Sequence, residues 1–380
     1  MRGIALKMLF GDRAKYLGMV FGVALSTLLI TQQSALFYCL MTRTASVIDD
    51  AREADIWVMD PQAKYVDTVR PMRDTELARV RGVPGVAWAV PLYKATAAVK
   101  TLDGALDNAL LIGLDDASLI GGPRRFALGS IESLRAPDAV AIDRAGYALL
   151  WPGQPERTGR ELELNDRRAV VTAITEASAA FTSRIVIYTR YNQALTYVPQ
   201  PRNQLTFVLA RAAAGQDPSA VAATIAARTG LQARSAAEFR RQTIGYYLVN
   251  TGIPISFGIV ILLGVIVGVA VVGLTFNMFV ADNLRQFGAL KAIGTTNRRL
   301  IGMVLVQAGM VGATGYGLGL GFAAAFFEFA TRGNSDLRGF YLPWWIAAGV
   351  AGATASIILL AILTGMRRVL VLDPAIVFRA

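Results

Sequence analysis

The sequence predicts a membrane protein with four transmembrane helices and a large α+β extracytoplasmic domain inserted between helices 1 and 2. Three observations carry that prediction. The composition is 54% hydrophobic and only 17% charged, with a mean hydropathy of +0.44, too apolar for an ordinary soluble chain of this size. Four stretches hold no charged residue: Tyr16 to Thr42, Gln242 to Ala281, Leu300 to Phe327 and Gly339 to Met366. Each exceeds the roughly 20 apolar residues that cross a hydrocarbon core. The third observation is where the positive charge sits.

Net charge is +11, concentrated in three short segments. Residues 1–15 hold Arg2, Lys7, Arg13 and Lys15 against Asp12; residues 282–299 hold Arg285, Lys291, Arg298 and Arg299 against Asp282; residues 367–380 hold Arg367, Arg368 and Arg379 against Asp373. The insert from 43 to 241 is nearly balanced. By the positive-inside rule the three basic segments face the cytoplasm, which puts both termini inside and the insert outside. The basic balance therefore reports membrane orientation and gives no support to nucleic-acid binding.

In chain order, residues 1–15 place Met1, Ile4, Ala5, Met8 and Leu9 at helical spacing. They read either as an amphipathic helix on the inner membrane surface or as a basic flank that orients the first span. The first apolar stretch, 16–42, is too long for the core of a cleaved leader and is expected to be a retained helix. It carries a polar pair, Gln32 and Gln33, whose face should meet protein or water. Small residues four apart, Gly18 with Gly22, Gly264 with Gly268 and Gly317 with Gly321, allow close helix approach.

The insert, 43–241, is large enough for one or two lobes. Strands are expected at "ADIWVMDP", at "GVAWAVPLYKATAAVK" and "NALLIGLD" as a hairpin around "TLDGALD", and at "DAVAID", "RRAVVTAI", "SRIVIYT" and "NQLTFVLA". A helix at "DPSAVAATIAART" stops at Gly230 and leads to a short strand at "GLQARS". The last part is expected to run as one unbroken helix from about Phe239 into the second span, 242–281, with Pro254 as a hinge. After the cytoplasmic segment 282–299 come the third span, 300–327, an external loop, 328–338, the fourth span, 339–366, and the tail, 367–380.

Catalytic patterns are missing from the chain. It has no histidine, no G-x-x-x-x-G-K-[ST] run, no G-x-S-x-G elbow and no Cys/His pair. Cys39 is the only cysteine, so no disulfide and no cysteine metal cluster is expected. Asp49 with Asp50 and Asp115 with Asp116 read as solvated loop or cap positions. The run "GYGLGLG" lies inside an apolar span without a preceding strand, so helix packing accounts for it better than nucleotide binding. No catalytic residue, bound cofactor or metal is assigned.

The segment "DNLRQFGALKAIGTTNRRL", Asp282 to Leu300, needs more than topology. A helix from about Asp282 gathers Leu284, Phe287 and Leu290 near one side, with Ile293 adjoining, while Arg285 and Lys291 project elsewhere. Gly294 suits a stop and "TTN" supplies caps for the next span. Phe287, Gly288 and Ala289 are expected to form a docking surface for another protein.

The order of parts, with "LRQFGALKAIGTTNRRLIGMVLVQ", "ADIWVMDPQ", "VRGVPGVAWAVPLY", "TGIPISFGIVI" and "LDPAIVFRA", resembles the MacB/FtsX-type permeases of ABC transporters, within them the DevC-like group. The resemblance covers nearly the whole chain, with G-x-L-K-A-x-G its most specific element. Gln286 departs from the glutamate frequent there. The resemblance implies a homodimer in the bacterial inner membrane working with two copies of an ATPase subunit, on which ATP and Mg would reside. It places ATPase coupling on Arg285, Gln286, Phe287, Gly288, Leu290, Lys291, Ala292 and Gly294, with Asp373 and Pro374 in the matching tail. It further implies an ATP-driven exporter acting by mechanotransmission, in a tripartite efflux or lipid-export system with a membrane fusion protein and an outer-membrane duct. Regulation of cell-wall hydrolases without transport, as in FtsX-like members, and lipoprotein release are the alternatives.

Overall fold

The computed structural model describes residues 2–371 apart from 52, 102–103, 124, 200–203 and 334–338. The chain opens with α1 (Arg2–Gly11), α2 (Arg13–Arg43) and α3 (Ser46–Asp50). Next come β1 (Ile56–Met59), β2 (Met72–Arg73), α4 (Thr75–Arg81), β3 (Val86–Lys100), β4 (Leu106–Leu114) and β5 (Phe126–Leu128). Then follow β6 (Ala139–Asp143), α5 (Arg144–Leu150), β7 (Arg160–Leu164), β8 (Arg167–Thr175), β9 (Ile185–Arg190) and α6 (Tyr191–Tyr197). The inserted domain ends with β10 (Gln204–Leu205), β11 (Phe207–Ala212), α7 (Pro218–Thr229), β12 (Gln232–Ser235) and α8 (Ala236–Asn250). The remaining helices are α9 (Ile253–Asp282), α10 (Leu284–Ala292), α11 (Asn297–Gly333) and α12 (Trp344–Val371).

These elements form two compact units, one of residues 1–38, 252–330 and 340–380, the other of residues 39–251 and 331–339. In the second unit, β12, β1, β11 and β3 lie side by side in that order, all antiparallel. With α4 and α7 this is the β-α-β-β-α-β order of a split βαβ unit. Strand β1 shows why its sequence is apolar at every position. Ile56 and Val58 enter one core beneath α4 and α7 with Val80, Val221 and Ile225. Trp57 and Met59 enter the opposite core with Phe207, Leu209 and Phe239. A strand buried on both faces has no need of alternation.

Strand β3 is 15 residues long and serves two neighbourhoods. Its first half pairs with β11, from Leu92↔Phe207 down to Val86↔Ala212; its second half pairs with β4, from Tyr93↔Gly113 to Lys100↔Leu106. Strands β4, β9, β6, β8 and β7 follow in turn, and β7 returns to β3 at Val99↔Leu164. The second half of β3 is thus one stave of a small closed ring. Helix α7 is capped as its sequence dictates: Asp217 accepts from Ser219 and Ala220, Pro218 sits in the first turn, and Gly230 terminates it at φ +73°. The domain begins and ends on paired strands, with the Ala236 N–H donating to the Asp55 carbonyl at 2.8 Å.

The unbroken helix expected from Phe239 into the second span is two helices. A Ser235–Glu238 capping box starts α8, and it stops at Asn250. Thr251 is extended at φ −124° and ψ 157°, and α9 starts at Ile253 with Pro254 in its first turn. Pro254 has no N–H for the Asn250 carbonyl and its ring would crowd that oxygen, so a helix running through would be kinked and one hydrogen bond short, and the chain breaks here instead.

In the first unit, glycines and hydroxyls join the spans. A β-carbon on Gly22 would stand 2.7 Å from Val271 Cγ1, and one on Gly268 2.5 Å from Ser26 Oγ, so α2 and α9 touch at these positions. Gly264 faces Ile30 and Leu29, and Gly18 faces Thr275. On α11 the glycines divide. Gly315 and Gly319 press against Val23 and the Ala24 carbonyl of α2, while Gly317 and Gly321 meet nothing within 4 Å. The Ser26 hydroxyl donates to the Gly264 carbonyl at 2.7 Å, and Thr27 shares a bond with Thr354 at 3.1 Å. Gln32 and Gln33 are half-buried.

Candidate functional site: the turn between the second and third long helices

The site is built on a nine-residue helix held at both ends. Asn283 ends α9, its side-chain amide donating to the Phe279 carbonyl at 2.9 Å, and its own carbonyl accepts from the Phe287 N–H at 3.1 Å. At the far end the Gly294 N–H reaches the Lys291 carbonyl at 3.0 Å and the Thr295 N–H reaches the Leu290 carbonyl at 3.1 Å. Gly294 sits at φ +94°, where a side chain would be strained. The Thr296 carbonyl then accepts the Arg299 and Leu300 N–H groups as α11 starts.

Phe287 is fully buried in a cluster with Leu9, Phe279, Val280, Leu300 and Met303, and Gly288 is buried beside it. The expectation that Phe287 and Gly288 present a docking surface is therefore corrected: they are the inward face. A short amphipathic helix between two long ones gains most by burying its aromatic ring against them. Leu290, Ala289 and Lys291 are half-buried, whereas Arg285, Gln286, Ala292 and Gly294 are exposed. Ile293, expected to adjoin the apolar side, is 84% exposed. The surface offered outward is thus Arg285, Gln286, Ala292 and Ile293.

Helix α1 completes the site in a way the sequence left open. Ala5 and Leu9, one turn apart, are fully buried, and the Gln307 side-chain amide of α11 donates to the Ala5 carbonyl at 2.9 Å. The α1–α2 corner is fixed by Asp12, which accepts from the Lys15 backbone at 3.2 Å and the Lys15 ammonium at 2.7 Å. Hydrogen bonding to Lys15 holds the Asp12 carboxyl below the usual carboxylate range. Lys15 also reaches Asp282, linking the start of α2 to the end of α9. Between α1 and α10 opens a cleft of about 820 Å³ lined by Lys7, Met8, Asp12, Arg13, Asp282 and Gln286, among others. A lone glutamine in "VLVQAGM" was the signal for the Gln307 contact; nothing local in sequence pairs Lys15 with Asp282.

Asp373 and Pro374 lie outside the described residues. Among the described residues no group of three or more Cys, Asp or Glu side chains is placed to hold a metal ion. Four described helices are long and apolar enough to cross a membrane: Arg13–Arg43, Ile253–Asp282, Asn297–Ala330 and Trp344–Leu363. Tyr38 packs edge-on against Tyr341 and Trp345 near one end of this set, as aromatic side chains do at membrane interfaces.

Two family models cover the chain: the FtsX-like permease C-terminal matches residues 258–374, and the MacB-like periplasmic core domain matches residues 16–228. The chain is 25% identical over 365 residues to an uncharacterized ABC transporter permease of Mycobacterium tuberculosis, found in two strains, with 95% of this chain and 93% of the relative covered. Among solved structures it is similar to the extracellular domain of noncanonic ABC-type transporter YknZ from Gram-positive bacteria, at 12% identity and TM-score 0.36, over 48% of this chain and 98% of that one. It is also similar to the periplasmic region of MacB from Actinobacillus actinomycetemcomitans, at 9% identity and TM-score 0.37, over 52% and 97%. With the core-domain model alone spanning more than half of its length and four apolar helices around it, this multi-pass membrane protein belongs to the MacB/FtsX-type permeases of ABC transporters.

Proposed function

We propose that the chain is the membrane subunit of an ATP-driven exporter that works by mechanotransmission, as a homodimer in the bacterial inner membrane with both termini cytoplasmic. Two copies of a separate ATPase would bind ATP and Mg. The observation that carries this reading is the anchoring of α10. Its Phe287 is buried among residues of α1, α9 and α11, while Arg285, Gln286 and Ile293 remain outside. A partner that displaces the outer face of α10 therefore displaces three other helices with it. The cleft beside Gln286 gives such a partner a recess of both charge signs.

Substrate would be handled by the inserted domain together with a membrane fusion protein and an outer-membrane duct, as the resemblance to DevC-like members implies. In support, the membrane-spanning parts of the four long helices hold no Asp, Glu, Lys or Arg between Tyr16 and Thr42, Gln242 and Ala281, Leu300 and Phe327, or Gly339 and Met366, so no charged path crosses them. The test is reconstitution with the ATPase and comparison of wild type with Arg285→Glu and Gln286→Ala combined. The expected result is loss of ATPase stimulation and weaker assembly with the fold intact. Wild-type assembly and turnover in that variant would refute the coupling assignment. Co-purification with a cell-wall hydrolase in place of a fusion protein would favour the regulatory alternative, and bound acylated protein would favour lipoprotein release.

A further inference from the structure

The inserted domain contains a cavity of about 420 Å³ at the point where β3 passes from the four-stranded sheet to the ring. Its lining includes Lys94, whose side chain is only 5% exposed, beside Asp67, Thr96, Thr182, Val69 and Leu110. An ammonium removed from water to this degree requires partners for its N–H groups. Lys94 Nζ has one, Asp67 Oδ1 at 2.5 Å, so two of its three N–H groups meet no acceptor among the described residues.

The neighbours define what fits there. Each Asp67 oxygen already accepts one hydrogen bond, Oδ1 from Lys94 and Oδ2 from the Tyr247 hydroxyl at 2.8 Å, so Asp67 positions Lys94. Tyr93 donates to the Val198 carbonyl at 2.6 Å. Thr206 donates to the Leu92 carbonyl at 2.5 Å and accepts from the Lys94 backbone at 3.2 Å. The remaining donors are thus the Lys94 ammonium and the hydroxyls of Thr96 and Thr182, both at exposed positions. All suit an anion, and an ammonium with a carboxylate makes a short charge-assisted bond. Lys94 is the one cation among the described lining residues and Asp67 already offsets its charge, so a second negative charge on a ligand would find no cation to pair with. Val69 and Leu110 supply apolar wall, and the volume is at the small end of organic-ligand sites.

We propose that this cavity binds a small organic monocarboxylate, with its carboxylate on Lys94 Nζ and its apolar body against Val69 and Leu110. The site is separate from α10 and from the ATPase-coupling reading, and failure of one leaves the other standing.

The experiment is calorimetric titration of the full chain in lipid nanodiscs with hexanoate, hexanamide and inorganic phosphate. Saturable binding of hexanoate is expected, with hexanamide and phosphate at least tenfold weaker. Lys94→Met combined with Asp67→Asn removes both charges together, and hexanoate binding should fall at least tenfold. Thr96→Trp fills the mouth from an exposed position and should do the same without touching the buried pair. Absence of saturable hexanoate binding to wild type overturns the proposal. So does equal affinity for hexanamide, or unchanged hexanoate affinity in the folded variants.

Discussion

Replacing Phe287 with alanine tests whether α10 is a rigid part of the membrane unit. The ring is fully buried between α1, α9 and α11, and truncating a buried phenylalanine costs about 3–5 kcal/mol. A helix of nine residues does not hold itself in isolation, so that cost falls largely on the local opening of α10. At about 1.4 kcal/mol per tenfold, amide exchange across residues 284–292 should speed by roughly a hundredfold to several thousandfold, up to the limit set by global unfolding. The outward residues Arg285, Gln286 and Ile293 are unchanged, so the ATPase should still assemble while its turnover no longer responds to the permease. Phe287→Leu keeps most of the volume, costs about 1.5 kcal/mol or less, and should retain partial coupling. Hydrogen exchange and ATPase assays on the reconstituted pair measure both. Wild-type protection of residues 284–292 together with wild-type coupling in Phe287→Ala would refute the anchor.

The two glycine sets of α11 should respond oppositely to alanine: at Gly319 the new β-carbon would stand 2.5 Å from the Ala24 carbonyl, costing about 1–3 kcal/mol. At Gly317 nothing lies within 4 Å, and helix propensity should make the change neutral or stabilising by up to about 1 kcal/mol; thermal unfolding in detergent separates them. Pro254→Ala should let helix extend through residues 251–252 and change transport and ATPase stimulation; both staying at wild-type levels would sink the hinge role. Burial pushes the Tyr197 phenol up to about 12, above its ordinary value near 10. Because the folded value is raised, Tyr197's contribution to stability is complete below pH 10 and disappears between about pH 10 and 12. Ultraviolet titration should show one phenol fewer titrating in that window for Tyr197→Phe, with a shallower loss of stability.

The long-range plan of this protein is plainly written in its sequence because the bilayer imposes it. Charge-free runs and basic flanks specified four apolar helices and the position of the insert. The main strands were legible for a similar reason: β-branched runs such as "SRIVIYT" have few alternatives. Short elements were not. Helices α4, α5 and α6 have seven residues each, too few for a periodicity to show. The β7–β8 hairpin did have a signal, Asn165 and Asp166, which adopt φ +47° and +60° as a tight two-residue turn requires. At the candidate site, the helix and its glycine stop were readable, but the direction of Phe287 was not. Amphipathicity states that one face differs from the other; whether the apolar face turns inward or toward a partner depends on Leu9, Leu300 and Met303, which come from elsewhere in the chain. The link from Lys15 to Asp282 crosses 267 positions and has no local trace.

The strand order of the inserted domain also makes it a nested construction. The outer module enters at Asp55 and leaves at Ala236, which are hydrogen-bonded to each other. The inner module, residues 93–206, leaves that outer module and rejoins it at the neighbouring pair Leu92↔Phe207. Each module is therefore attached through ends that already touch. A lineage can enlarge, trim or exchange the ring without disturbing the strand order of the sheet that bears it. The same can be done with the whole domain at Asp55 and Ala236. Change in the inserted domain and constancy in the flanking apolar helices are thereby made separable by chain connectivity.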